Sequence, residues 1–485
     1  MNWTEKEILF KMTKSILLLQ LPHIYGKTKR LPEDIPLGIG YLIAVLKNAG
    51  YKVGLLDIWG KDLNNEQVID SIRKVLPKYD LCGISAYSTQ YSYFTWIIKE
   101  IKKIKDIPII VGGPLATHSS HIMEKHPEVD FIVLGEGEIS IVNLLKNIDS
   151  PQNVFGIGYK KDGKLIINQK QDEIRDLDIL PLPGREMFDV ESYIKNATGN
   201  LFPKRDFRIL NMISSRGCPY RCRYCSKTFK YARTRSINSV IREIQFLKGK
   251  YGVNYINFND ELVLFNKKRG MELSEKIKPL KINWCCQGRV NVVDLELLKA
   301  MKDAGCVAIG YGIESGSQRI LNNMNKKATV EQNYAAIEIT KKVGIEIIVQ
   351  TMFGYIGENE ESIKETAGFC IRCGIKAGPL FPVVPLPGTD LYSYAIKHNL
   401  IKDEVKYHIN LDSGYNFYSS VNLTQWTNSE FIKKRRQLRN KINNYYYKSH
   451  KKEFLCDQCH KFLSICKSYS LLEIIQKIFQ RLRGN

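Results

Sequence analysis

Three cysteines with the spacing CxxxCxxC carry the strongest chemical signal in this sequence. Cys218, Cys222 and Cys225 follow an apolar, strand-like run from Ile209 to Ile213. Thiolates bind soft metals, and iron–sulfur clusters are held by closely spaced cysteines. Three thiolates are one ligand short of a filled 4Fe–4S cluster, so one iron would stay open to a small molecule. The spacing therefore predicts such a cluster. A zinc site, which usually pairs two CxxC units, and three buried thiols are the alternatives.

The cysteine segment resembles that of the radical S-adenosylmethionine (SAM) enzymes. In that family CxxxCxxC holds a 4Fe–4S cluster whose open iron chelates the amino and carboxylate groups of SAM. An aromatic residue, here Tyr224, stands between the last two cysteines, and the resemblance makes it a candidate contact of SAM. The resemblance implies reductive cleavage of SAM to methionine and a 5′-deoxyadenosyl radical, which takes hydrogen from an unactivated carbon. It also implies an electron donor of the flavodoxin or ferredoxin type.

Length and composition indicate a chain of several domains. With 485 residues, two or three domains are expected, and the 44% of hydrophobic residues can fill substantial cores. The sequence contains no run of 18 uncharged apolar residues, so we expect no membrane span. The start of the chain lacks the layout of a signal peptide, and we therefore expect a cytoplasmic protein. Twelve unevenly spaced cysteines then favour metal chemistry over disulfides.

The net charge of +22 is compatible with a nucleic-acid partner. The excess lysines, however, are spread along the chain rather than confined to one motif, which is typical of solvated surface positions. We therefore do not expect nucleic acid as a partner.

Residues 14–145 alternate short apolar runs with helical patterns, as in an α/β fold with a doubly wound parallel sheet. The first helix is predicted over Leu37–Asn48 and ends at Gly50. Glycines stand at several predicted strand ends, where doubly wound sheets bind their ligands. Five strands are predicted: Ser15 to Leu21, Val53 to Asp57, Leu81 to Ser85, Ile107 to Gly112 and Phe131 to Leu134.

This first half resembles the Rossmann-like cobalamin-binding domain that precedes many radical SAM cores. The matching pieces are the Pro-x-Gly-x-x-Tyr-Leu entry at 36–42, the Val-Gly-Gly-Pro turn at 111–114 and the Gly-Glu-Gly-Glu loop at 135–138. The cobalt-ligating DxHxxG motif is missing, since His23 lacks the Asp and Gly spacing. The resemblance implies cobalamin without a histidine ligand to cobalt. Trp59 would either cover the cobalt or serve as an ordinary packing residue without a ligand contact. The candidate contacts are Trp59, Ser85, Gly112, Gly113 and Gly135.

Residues 146–205 are interpreted as a proline-punctuated linker, and residues 206–395 as a partial (β/α) barrel with its site at the strand C-termini. By resemblance, Glu314 contacts the ribose or methionyl part of SAM. Asp260 and Glu261 would meet its amino group, and Arg289 its carboxylate, which suits a guanidinium. The turn with Gly354 and Gly357 would face adenine. A strand-end carboxylate can instead cap the following helix, and that alternative stays open.

Residues 396–485 are expected to form a small, mainly helical region. Cys456, Cys459 and Cys466 are candidate ligands of zinc or a second cluster, and inert thiols are the alternative. The segment from Leu471 to Leu482 has the pattern of a basic amphipathic helix, which leaves docking on the core or peripheral membrane contact open.

The function that these patterns favour is cobalamin-dependent methylation of an unactivated carbon in a small-molecule or lipid substrate. Radical cyclisation or oxidation without methyl transfer is the first alternative. A methylthiotransferase acting on tRNA is another, but that group binds a second cluster through N-domain cysteines, and residues 1–217 contain only Cys82. A non-catalytic nucleic-acid-binding protein with a structural metal is the third. The sequence identifies neither the substrate nor a catalytic residue.

The cluster prediction is tested with a variant in which Cys218, Cys222 and Cys225 are all changed to Ala. After anaerobic reconstitution, the unchanged protein should hold about four irons at this site, and the variant should lose them because its thiolate ligands are gone. Iron analysis and SAM cleavage are the measurements. Unchanged iron content and SAM cleavage in the triple variant would contradict the assignment.

Overall fold

The structure, a computed structural model, describes residues 14–25, 28–29, 32–197, 207–378, 380–414, 421–453 and 455. The candidate ligands Cys456, Cys459 and Cys466 and the predicted helix at 471–482 lie outside these residues. No helix within the described ranges is long and apolar enough to cross a membrane.

The first half of the chain forms a seven-stranded sheet in the order β4-β1-β5-β6-β7-β8-β9, with a separate β2–β3 pair. Its strands are β1 (Ser15–Gln20), β2 (Ile24–Tyr25), β3 (Thr28–Lys29), β4 (Lys52–Asp57), β5 (Leu81–Ser85), β6 (Ile109–Gly112), β7 (Phe131–Val133), β8 (Ile157–Lys161) and β9 (Lys164–Ile167). Its helices are α1 (Leu37–Asn48), α2 (Asn65–Val75), α3 (Tyr91–Ile104), α4 (Gly113–His118), α5 (Gly137–Lys146) and α6 (Val190–Asn196). The strands from β4 to β7 in this order are parallel, which confirms the doubly wound fold class.

Strand β1 lies inside the sheet because both of its faces are apolar. Every residue from Ser15 to Gln20 is buried, and the strand pairs in parallel with β4 on one side and β5 on the other. Alternate side chains enter different cores: Ile16 and Leu18 belong to one, and Leu17 and Leu19 to the other. A continuous apolar run is typical of such a doubly covered parallel strand.

The segment interpreted as a linker contributes to the first sheet. Strands β8 and β9 extend it beyond β7 in antiparallel orientation. Asp162 and Gly163 connect the two strands, and both have positive φ, at 52° and 75°. Asp-Gly is a favoured pair for a two-residue hairpin turn of this kind. The prolines of the surrounding sequence are typical of a linker, and this hairpin was therefore not predicted from the sequence.

The second half forms a six-stranded parallel sheet in chain order, β10-β13-β14-β15-β16-β17, and confirms the partial barrel. The strands are β10 (Ile209–Met212), β11 (Ser215–Arg216), β12 (Arg233–Thr234), β13 (Tyr255–Phe258), β14 (Asn283–Gly288), β15 (Cys306–Glu314), β16 (Glu346–Phe353) and β17 (Phe381–Pro382). The helices are α7 (Ile237–Tyr251), α8 (Lys267–Ile277), α9 (Leu295–Asp303), α10 (Gln318–Asn323), α11 (Val330–Val343), α12 (Glu360–Arg372), α13 (Asp390–Lys397), α14 (Glu404–Gly414) and α15 (Asn428–Ser449).

The crossover helices of the barrel begin and end at residues suited to those positions. The Ser236 hydroxyl accepts the backbone N–H of Ser239 at the start of α7, and Gly252 ends that helix with a φ of 63°. Helix α11 is bounded in the same way by Thr329 and by Gly344, whose φ is 76°. The capping residues define where each helix begins, and the left-handed glycines end each helix so that the chain can turn back to the next parallel strand.

The two halves are joined by buried polar contacts as well as by one continuous apolar core. The Asn211 side chain on β10 accepts the backbone N–H of Ile35 at 3.0 Å and donates to its carbonyl at 2.9 Å. Arg185 donates to the carbonyl of Asn211 at 2.9 Å and forms a buried ion pair with Glu243 at 2.8 Å. The segment before α1 is therefore fixed against the first strand of the barrel.

Replacing Asn211 with Ala should destabilise this joint. The N–H and C=O of Ile35 would stay buried without their partner, and the free energy of unfolding should fall by about 1–3 kcal/mol. Urea denaturation is the measurement. The exposed residue Asn153 provides the matched Asn153→Ala control, which should change stability by no more than about 0.5 kcal/mol. Equal effects of the two substitutions would contradict the role of Asn211.

Candidate functional site

The three cysteines lie on one loop that begins after β11. Gly217 opens this loop with a φ of 80°, and a Cβ there would lie 2.4 Å from the carbonyl oxygen of Tyr231. Only glycine fits that backbone without strain. Its N–H donates to the Glu261 carboxylate at 3.0 Å. Glu261, predicted from the sequence to contact SAM, thus holds the entrance of the cysteine loop.

The cysteine loop suits an iron–sulfur cluster in its donor chemistry. Cys218 and Cys222 are half-buried, and Cys225 is exposed. Across the described ranges, no set of three or more His, Cys, Asp or Glu side chains has the spacing of a bound metal ion in this structure. Three thiols on one loop are nevertheless the soft donors that a 4Fe–4S cluster takes, and they would hold it here.

Asp260 anchors the strand that leads into the cysteine loop. Its two carboxylate oxygens accept the backbone N–H of Ser214 at 2.9 and 3.0 Å, and they also accept the hydroxyls of Ser214 and Ser215. Burial raises the pKa of Asp260 to about 6, against the opposing effect of these hydrogen bonds. The structure therefore gives Asp260 a positioning contact. Its predicted contact with the SAM amino group stays a prediction.

Glu314 meets the aromatic residue of the cysteine loop at the end of β15. It is buried and has a φ of 62°, and the pairing of β15 with β16 shifts register between Gly312 and Glu314. Its carboxylate accepts the Tyr224 hydroxyl at 2.9 Å and the Lys326 ammonium at 2.8 Å. Lys326 also lies 3.2 Å from the Tyr224 hydroxyl. Glu314 and Tyr224, both predicted to contact SAM, thus contact each other, and Lys326 contacts both of them.

Sequence reasoning missed Lys326. It stands in a short connection between α10 and α11, and its neighbours Asn325 and Lys327 both have positive φ, at 54°. No sequence spacing relative to Glu314 or Tyr224 identifies this lysine as a site residue. Its contact depends on how the connection folds back over the strand end.

Arg289 is tied to the same connection. Its guanidinium donates to the carbonyls of Lys326 and Lys327 and stacks over the Tyr220 ring, 3.3 Å from the ring centre. Its Nε is buried without a hydrogen-bond partner. Arg289 therefore holds the connection between α10 and α11 through one terminal nitrogen, and its predicted contact with the SAM carboxylate stays a prediction.

The turn with Gly354 and Gly357 is packed against the C-terminal helix. The two glycines have φ values of 92° and 80°. A Cβ on Gly354 would lie 2.2 Å from the ring of Phe431 in α15, and the carbonyl of Gly357 accepts Arg319 at 2.8 Å. These contacts fix the turn beyond β16, and its contact with adenine remains a prediction.

A cavity of about 610 Å³ lies between the two halves. All five residues predicted to contact cobalamin line it, namely Trp59, Ser85, Gly112, Gly113 and Gly135. The barrel contributes Asn211, Ile213, Ser215, Arg216, Asn259 and Glu261. The carboxyl ends of the two sheets therefore open into one space, which the sequence alone did not establish.

The wall of this cavity on the side of the first sheet is built from closely packed strand-end loops. Gly113 has a φ of 83°, and a Cβ there would lie 2.8 Å from both the Ala86 carbonyl oxygen and the Ser85 hydroxyl. Trp59 packs edge-on against His23 with ring centres 4.8 Å apart. This cradle of backbone and aromatic surface fits a large planar ligand, and these residues would hold cobalamin.

An ion network joins this wall to the cysteine loop. Arg216, directly before Gly217, pairs with Glu136 at 2.7 Å and with Glu138 at 2.6 Å, and Arg233 pairs with Glu136 at 2.7 Å. All four side chains are buried. Burial would raise the pKa of Glu136, but hydrogen bonds from Arg233 and Arg216 outweigh it and hold that pKa below its usual range. Glu136 therefore stays ionised.

Comparison with known proteins agrees with this division of the chain. The family model of the Radical SAM superfamily matches residues 212–370, and that of the B12 binding domain matches residues 29–145. The uncharacterized methyltransferase PH0819 of Pyrococcus horikoshii is 31% identical over 398 residues, covering 79% of this chain and 84% of the relative. This chain belongs to the radical SAM enzymes with a cobalamin-binding domain. Its family cofactors are a 4Fe–4S cluster, SAM and cobalamin, as the sequence predicted.

Two further similarities bear on this radical SAM enzyme. The anaerobic magnesium-protoporphyrin IX monomethyl ester cyclase of Rubrivivax gelatinosus is 29% identical over 347 residues, 68% of this chain and 61% of the relative. The structure of the cobalamin-dependent SAM radical enzyme OxsB with aqua-cobalamin and SAM bound has a TM-score of 0.65 at 20% identity. That match covers 83% of this chain and 57% of OxsB, and it shows the shared fold.

Replacing Glu314 with Ala should weaken SAM binding by roughly 1–3 kcal/mol, because charged hydrogen bonds at the strand end are lost. The iron content should not change, since Glu314 is not a thiolate ligand. Isothermal titration with SAM and iron analysis are the measurements. Glu331→Ala, at an exposed position in the first turn of α11, is the control and should bind SAM normally. Normal SAM affinity in Glu314→Ala would make Glu314 a purely structural residue.

Proposed function

We propose that this radical SAM enzyme is a cobalamin-dependent methyltransferase that methylates an unactivated carbon of a small-molecule or lipid substrate. The observation that carries the proposal is the cavity between the halves, which is lined by the predicted cobalamin contacts and by the residues around the cysteine loop. When bound, the cluster and SAM supply a 5′-deoxyadenosyl radical, and cobalamin supplies a carrier for the methyl group.

The residues around the cavity would position these partners. Glu314, with Tyr224 and Lys326, would orient SAM over the cysteine loop, because its carboxylate can accept from a ribose diol. Arg289, which is tied to the same connection as Lys326, would meet the SAM carboxylate. The buried pairs of Arg216 would keep the loop and the cobalamin wall at a fixed separation, as efficient transfer between held groups requires.

Electron supply would come from a small acidic redox protein. Arg221, Arg223 and Lys230 are exposed on the cysteine loop and directly after it. A positive surface at the cluster favours encounter with an anionic flavodoxin or ferredoxin through electrostatic steering. The rest of the chain's positive charge is not needed for this role.

Radical cyclisation without methyl transfer is the second candidate, and the similarity to the Rubrivivax cyclase favours it. A tRNA methylthiotransferase fits less well. Cys82, the only cysteine among residues 1–217, is fully buried in β5 and offers no exposed thiol for a second cluster.

Methyl-labelled SAM distinguishes these functions. Protein reconstituted with iron, sulfide and hydroxocobalamin is given labelled SAM, a reductant and the small-molecule fraction of a cell extract. A methyltransferase should pass label to the cobalamin fraction and to an organic product, whereas label confined to SAM and methionine would contradict the proposal and favour cyclisation. The variant with Ala at Cys218, Cys222 and Cys225 is the control and should yield no labelled organic product, because it cannot form the radical.

A further inference from the structure

The 324–327 connection, which joins α10 to α11, lies directly against the cysteine loop. Lys326 contacts the Tyr224 hydroxyl, and other residues of the connection contact the loop backbone on both sides of Cys222. These contacts span the barrel sequence, since Asn325 and its partner Arg221 are 104 positions apart. The connection is therefore placed to control how the cysteines are arranged.

Asn325 holds the loop on the N-terminal side of Cys222. Its side-chain amide donates to the carbonyl of Arg221 at 2.6 Å. The backbone of Asn325 has a φ of 54°, in the left-handed region. Asparagine enters that region more readily than most residues with a Cβ. The residue type thus serves both the turn of the connection and the contact with the loop.

The backbone of Arg223, on the other side of Cys222, is bonded in two directions. Its N–H donates to the carbonyl of Met324 at 3.0 Å, and its carbonyl accepts the N–H of Leu391 in α13 at 3.3 Å. Both backbone groups are therefore satisfied by the barrel and by the helix that follows it. An N–H held in this way exchanges with solvent only when the contact opens.

Tyr220 provides a third attachment, midway between Cys218 and Cys222. The Arg289 guanidinium stacks over its ring, 3.3 Å from the ring centre. The same guanidinium donates to the carbonyls of Lys326 and Lys327. Arg289 therefore binds the loop and the connection to each other.

We propose that the 324–327 connection arranges the cysteine loop for its cluster before iron binds, with Asn325 as the positioning residue. This inference rests on the proposed function, because it concerns the cluster of that reaction. A loop that is already ordered loses less conformational freedom when it binds a ligand, so it holds that ligand more tightly. The contacts of the connection involve backbone groups, a ring and a hydroxyl, and no sulfur atom, so they can persist once the thiolates bind iron.

Hydrogen exchange of the iron-free, full-length protein tests this arrangement. Exchange is measured at the Arg223 amide by mass spectrometry with electron-transfer fragmentation, under anaerobic conditions. The amide should be protected in the unchanged protein. Asn325→Gly removes the donor without strain at positive φ, and it should speed exchange by about fivefold, the effect of losing one ordinary hydrogen bond.

Asn399→Gly is the matched control. Asn399 is exposed, follows α13 and has a φ of 56°, so the substitution adds the same backbone freedom at a distance from the cysteine loop. Exchange at Arg223 should stay within about twofold of the unchanged protein, as expected for a surface substitution.

Iron release is the second measurement. Reconstituted protein is mixed with a ferrous chelator, and the loss of cluster absorption is followed. Asn325→Gly should release iron about fivefold faster, and Tyr220→Ala should do the same because the stack with Arg289 is lost. Tyr220→Phe keeps the ring and should restore slow release.

Three results would overturn the proposal: free exchange at Arg223 in the unchanged iron-free protein, unchanged exchange and iron release in both Asn325→Gly and Tyr220→Ala, or an equal effect of Asn399→Gly. The exchange measurement needs neither iron nor cobalamin. Its failure would leave the methyltransferase assignment standing, whereas a protein that takes up no iron would contradict that assignment and not the exchange result.

Discussion

The ion network of Arg216 with Glu136 and Glu138 is the interaction on which the candidate site depends. It connects the last strand residue before the cysteine loop to the loop after β7 and to the first turn of α5 in the other half. Buried charges are tolerated only when paired, and removing one partner of such a pair costs about 3–5 kcal/mol. The network therefore specifies one arrangement of the halves, in which the cysteine loop lies opposite the strand ends of the first sheet.

This arrangement determines which residues line the cavity between the halves. Parallel strands place their loops at one edge, and each half uses that edge for the groups expected to bind cofactors. Two further residues stabilise this arrangement. Asn211 fixes the segment before α1, and Asp260 fixes the strand that enters the cysteine loop. The segment before α1 also places the Asp34 carboxylate 3.2 Å from the amide of Asn257 on β13, so the joint between the halves reaches a second strand of the barrel.

The sequence predicted those features that are encoded locally. The strands of both sheets have apolar runs, the CxxxCxxC spacing lies within one loop, and Glu314 stands at a recognisable strand end. Contacts between distant segments could not be predicted in this way. Lys326 reaches Glu314 through a folded connection, and the Glu136 and Glu138 partners lie about 80 residues away in sequence. The hydrogen bonds of Asp260 with Ser214 and Ser215 likewise depend on positions that only the folded chain defines.

Electron paramagnetic resonance tests most directly whether cobalamin and the cluster face each other across one cavity. Full-length protein is loaded with both cofactors, and cobalamin is poised in its paramagnetic cobalt(II) state with the cluster reduced. The structure predicts magnetic coupling between the two spins, seen as splitting or faster relaxation of the cobalt signal, and its loss in the variant with Ala at Cys218, Cys222 and Cys225. Stoichiometric cobalamin and cluster with an unperturbed cobalt signal would contradict the shared cavity.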